Sequence, residues 1–205
     1  MDTLERLLTA AAPLLHRVDD VLATAGAPPH HRVWAELRRV HLLPGDAARA
    51  VAALRPSELL EAVPELRADA RAYGVLASSL PEPGEWTGAA AEAYGEARQR
   101  TADHLSGGAE SLDERLEASA DLAEALIDWM RGAREALAGV LAEVLTSAET
   151  VRLEQVPTGL PTPEEVSAAA EVAASVLQTV AESYELGADL LHATKDLADE
   201  LTTVH

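Results

Sequence analysis

The chain has no cysteine, no phenylalanine and a single lysine, Lys195. Without cysteine there is neither a disulfide framework nor a thiolate metal site. Aromatic residues make up only 3% of the 205 residues, and β-branched or aromatic runs that would form strands are scarce. No apolar run approaches the roughly 20 residues of a membrane span, so membrane insertion is not expected. The first residues, Met1-Asp2-Thr3-Leu4-Glu5-Arg6, lack the basic-then-apolar pattern of a cleaved secretory leader. Neither a Gly-x-Ser-x-Gly elbow nor a phosphate-cradling Gly-x-x-x-x-Gly-Lys loop occurs. The expectation is a protein that is not an enzyme and carries no cofactor.

Alanine, leucine and acid fill the space these absences leave. Apolar residues are 48% of the chain and mostly top the helix-propensity scale, which predicts an all-α helical bundle. Net charge is −19, and it is uneven: residues 1–80 hold 9 basic and 10 acidic side chains, residues 81–205 hold 7 and 25. That field repels phosphate backbones and anionic lipid, so nucleic acid is excluded as a partner. A basic protein partner remains compatible.

Apolar spacing predicts a first helix over residues 3–24, bent or interrupted at Pro13, and a short one over 33–41. Pro44-Gly45-Asp46 reads as a break, with Asp46 capping a helix from Ala47 to Leu54. A helix from Pro56 to about Ser79 should kink at Pro64 and end at Pro81-Glu82-Pro83-Gly84. Helix resumes after Trp86-Thr87-Gly88 and runs to about Thr150, with a bend or break at Gly107-Gly108. Its apolar seam runs from Leu112 through Leu116, Ala123, Leu126, Met130, Ala133, Leu137 and Val140 to Val144. Residues 151–162 read as a linker, and Thr162-Pro163-Glu164-Glu165 as a capping box opening the last helix. Three regions of one expected compact bundle follow: short helices over 1–55, a helical hairpin over 56–150, and a linker with a C-terminal helix over 151–205.

Trp86 and Gly88 suit a hairpin corner, the indole as apolar anchor and the glycine for backbone freedom. If the indole is buried there, Trp86→Ala costs roughly 3–5 kcal/mol. Alanines 89, 90, 91 and 93 would let the second helix lie close, with Tyr94 beyond them. Trp86, Gly88, Ala90, Ala91, Ala93 and Tyr94 resemble the W-x-G-x-A-A-x-A-aromatic pattern of the WXG100 (ESAT-6-like) family, over roughly residues 56–150.

That resemblance implies a helical hairpin that works by pairing with protein and is exported by a type VII (ESX) system without a cleaved leader. The partner it implies is another WXG-like protein, a secreted toxin or effector, the secretion machinery, or a second copy. The family's export signal, a tyrosine with an acid four residues on, is missing: Ala77, Arg98 and Ala188 follow Tyr73, Tyr94 and Tyr184. Export would then depend on a partner, and an adaptor or chaperone retained in the cytoplasm is the alternative.

Two other patterns invite a function. Glu110, Glu114, Glu117, Asp121, Glu124 and Asp128 form an acidic stripe on one helix face. It reads as a solvated face opposite the seam, or functionally as a docking rail for a basic partner. Asp189, His192 and Asp196 have the spacing of metal ligands on successive turns, but no second acid-x-x-His motif accompanies them, so no metal is expected. His30-His31 reads as exposed loop, and Trp34 and Trp129 as packing anchors.

Overall fold

The computed structural model describes residues 2–85, 87–108, 110–154 and 160–203, with the helical backbone alone at 154 and 194–203. Among the described residues all regular structure is α-helical: α1 (Thr3–Ala25), α2 (Val33–Val40), α3 (Pro44–Ala52), α4 (Pro56–Leu59), α5 (Ala62–Ser79), α6 (Ala89–Leu105), α7 (Leu112–Leu145), α8 (Ala148–Glu154) and α9 (Pro163–Thr203). The chain forms two compact units, Met1–Arg55 with Trp129–Asp189 and Pro56–Asp128 with Leu190–His205.

The first unit holds the main core. Leu15, Val18 and Val21 of α1, Val51 of α3, Leu137 and Leu141 of α7 and Val176 and Leu177 of α9 are almost fully buried together. From Ala168 to Ala181, α9 is buried on more than one stripe, because alanines at 168, 169, 170, 173, 174 and 181 let neighbours approach closely. Its start is the capping box expected from sequence. The Thr162 N–H donates to Glu165 Oε2 at 2.6 Å, and the Glu165 N–H donates to Thr162 Oγ1 at 3.3 Å. Arg17 of α1 then meets the buried Glu165 carboxylate at 2.7 Å.

Several local expectations are corrected. Helix α1 runs through Pro13 without interruption. The ring lies on the exposed side, while Ala11, Leu14 and Leu15 anchor the turns beside it in the core. Asp46 is no cap: α3 starts two residues earlier at Pro44, and Asp46 pairs with Arg49 at 2.5 Å. Pro64 does not kink a long helix. The helix breaks at Leu60–Glu61 and restarts, so Pro64 falls in the first turn of α5, where no helical N–H bond is lost. Helix α7 stops at Leu145, and α8 carries helix to Glu154, so residues 151–154 of the expected linker are helical. Ser147 starts α8 by accepting the Thr150 N–H at 3.2 Å, while the Thr150 hydroxyl donates to the Val144 carbonyl.

In the second unit, Val63, Ala120, Ala123 and Ile127 form a small core, with Leu59 and Leu66 packed on it. Gly107, at φ +114°, sits in the break between α6 and α7. Ser106 and Ser111 both donate to the Asp113 carboxylate there, which lowers its pKa.

Candidate protein-binding site at the α5–α6 turn

Pro81 forces extended backbone on the residue before it, and Leu80 accordingly leaves the helix at ψ 129°. Gly84 follows at φ +64°, and Gly88 at φ +87° delivers the chain into α6. The Gly88 carbonyl accepts from the N–H groups of Ala91 and Glu92 at 3.0 and 3.2 Å, closing the first turn. The Tyr94 hydroxyl reaches back to the Pro81 carbonyl at 2.9 Å, and Arg98 Nε donates to the Leu80 carbonyl at 3.0 Å. Arg98 also faces Glu82 at 3.9 Å. Trp86, the expected apolar anchor of the corner, lies outside the described residues.

Progressively earlier residues of α5 meet progressively later ones beyond the turn. Tyr94 and Arg98 reach the end of α5, Gly74 faces Ser106, and Arg67 meets Glu117, Asp121 and Glu124. Helix α5 therefore runs antiparallel to α6 and to the start of α7. Packing thins toward the turn. Helix α6 buries no residue, and Val75 and Leu76 of α5 are 67% and 48% exposed.

Arg98 was not singled out as a site residue, yet it braces the turn. Its place was visible only as the position four residues after Tyr94 where an acid was missing. A carboxylate there would face the Leu80 carbonyl and the acid Glu82 in place of the present donor.

The six acids of the stripe do not share one environment. Arg67 meets Glu124 at 2.7 Å, Asp121 at 2.9 Å and Glu117 at 3.6 Å, and the first two carboxylates raise its pKa. Glu110, Glu114 and Asp128 are exposed. Half of the stripe thus ties α7 to α5.

Among the described residues no group of three or more His, Cys, Asp and Glu side chains could hold a metal, and the side chain of Asp196 is not among them. His31 is no loop ornament. It accepts the Val33 N–H at Nδ1 and contacts Glu171 through Nε2 at 3.0 Å, which fixes the Nε2-protonated tautomer in this network. Trp34 and Trp129 each anchor a carbonyl, their indole N–H groups donating to Pro28 and Ser183 at 3.0 and 2.6 Å. No helix among the described residues is long and apolar enough to cross a membrane. No protein-family model matches the chain, and neither curated proteins nor solved structures yield a match.

Proposed function

We propose that this is a WXG-like helical protein of a type VII (ESX) secretion pathway, acting by protein–protein contact rather than catalysis. It serves as a secreted substrate, or as the targeting or partner module of one. The observation that carries the reading is the turn from Leu80 to Arg98. Gly88 opens α6 at positive φ, and Tyr94 ties α6 back to Pro81. The exposed apolar residues of α5 beside an α6 with no buried residue leave area for a protein partner.

A second reading is favoured by Arg98. With this cation where the family's acid would stand, the protein stays in the cytoplasm and holds a secreted partner. Expression in a type VII-secreting actinobacterium separates the two. The first reading expects the protein in culture filtrate, with a cytosolic lysis marker retained, and its loss from the filtrate when the secretion system is disabled. Retention inside together with a co-purifying secreted protein supports the adaptor. Retention with no such partner, or release independent of the system, overturns the proposal.

A further inference from the structure

A cleft of about 430 Å³ opens in the first unit between α2, α3 and α9. Apolar side chains make its walls: Val40 of α2, Leu42 just before α3, Ala50 of α3, and Val180, Ala181 and Ala188 of α9. The space exists because three of these facing positions are alanine. Its size falls in the range of small-molecule sites, which pair an apolar body with a few polar groups.

The polar groups lie close together. Arg39 is held by Glu36 at 2.6 Å and by Glu185 at 2.8 Å, so two carboxylates share one guanidinium and one negative charge is left over. The Glu185 side chain is 62% exposed and can reach a ligand. Beside it lies Tyr184, 41% exposed, its ring edge-on to Trp129 at 5.9 Å between centroids. A surplus carboxylate next to an aromatic ring is the chemistry that recognises an organic cation. An anion would meet two carboxylates and an arginine whose single charge they already more than balance.

We propose that this cleft binds a small amphipathic organic cation. Its apolar body lies against Val40, Ala50 and Ala181, and its ammonium or guanidinium sits at Glu185 and the Tyr184 ring. The site is independent of the α5–α6 turn and of the secretion reading.

The test is an amide-resolved NMR titration of the full chain with octyltrimethylammonium, octanoate and octyl glucoside, three probes with one chain and different heads. The cation is expected to bind about tenfold more tightly than octanoate, equivalent to roughly 1.4 kcal/mol. Shifts should centre on Leu42, Ala50, Tyr184 and Ala188. Ala50→Phe, or Ala188→Phe from the exposed side of α9 should the first fail to fold, fills the cleft and abolishes those shifts. Glu185→Gln removes most of the preference for the cation. The proposal is overturned if the cation does not bind, if octanoate binds equally well, or if a folded cleft-filled variant binds the cation unchanged.

Discussion

Asp19 on α1 caps α3 through Gly45: its Oδ1 accepts the Gly45 N–H at 3.2 Å. Leu43, at the cap position of α3, has no side chain able to do so. A carboxylate twenty-six residues earlier supplies the missing acceptor. The same contact requires glycine, because a Cβ built at position 45 would collide with the Asp19 carboxylate. Burial raises the Asp19 pKa, and the Gly45 hydrogen bond opposes that rise.

Gly45→Ala should therefore displace Asp19 and destabilise the protein by roughly 1–3 kcal/mol, the range of lost caps and overpacked contacts. Asp19→Asn keeps an acceptor and removes the charge, so it should cost little. The pH dependence has a definite sign. A folded pKa above the usual 3.8 contributes stability at low pH that is lost as pH rises through the folded value. Asp19→Asn should thus gain on the wild type as pH rises above about 4. Urea unfolding across that range checks it.

Glu165 behaves in the opposite sense. The Thr162 N–H, then the Thr162 hydroxyl and the Arg17 guanidinium, lower its pKa below 4.5. Its contribution is present above that value and lost as pH falls through the lower folded pKa. Glu165→Gln should be less stable than the wild type at neutral pH, with the difference shrinking in acid. A gap that stays constant with pH would show that the charge contributes nothing.

Gly187→Ala should cost roughly 1–3 kcal/mol, because its Cβ would stand 2.6–2.8 Å from the Trp129 ring. A rigid indole hydrogen-bonded to Ser183 cannot step aside as a flexible side chain would. The cost should fall when Trp129 is replaced by Leu, and a double-mutant cycle with denaturant unfolding measures that coupling.

Tyr94→Phe should loosen the α5–α6 turn by roughly 0.5–1.5 kcal/mol, the net value of one hydrogen bond. Arg98→Glu should loosen it further by replacing a donor with an acceptor. Hydrogen exchange over 89–105 should rise in both, while α1 and the buried part of α9 stay protected. Equal exchange in wild type and Arg98→Glu would refute the bracing role.

Arg67→Met should destabilise the second unit most at low salt, where Glu117, Asp121 and Glu124 repel one another unscreened. The loss should shrink as salt is added. Thermal unfolding at two ionic strengths reads this out.

Some of this was legible because the controlling interaction is local. The Thr162–Glu165 box spans one helical turn, Pro81 pushes its neighbour Leu80 out of the helical region, and Gly107–Gly108 breaks the helix on propensity. Other features depend on partners far along the chain. Arg67 draws three acids of the expected solvated stripe into contact from fifty or more residues away. His31 finds Glu171 across 140 residues, and Asp19 finds Gly45 across 26. No spacing rule encodes those pairs.

By itself the sequence determined the α-helical class, the absence of thiol chemistry, and the helix ends at Gly26, Pro81 and Gly107–Gly108. These follow from properties carried by each residue and its near neighbours. Only the tertiary structure decided which helix caps another, which acids are paired, and that the alanine-rich stretch of α9 from 168 to 181 lies deep in the first unit. Such outcomes arise when side chains distant in sequence compete for the same space and the same hydrogen-bond partners.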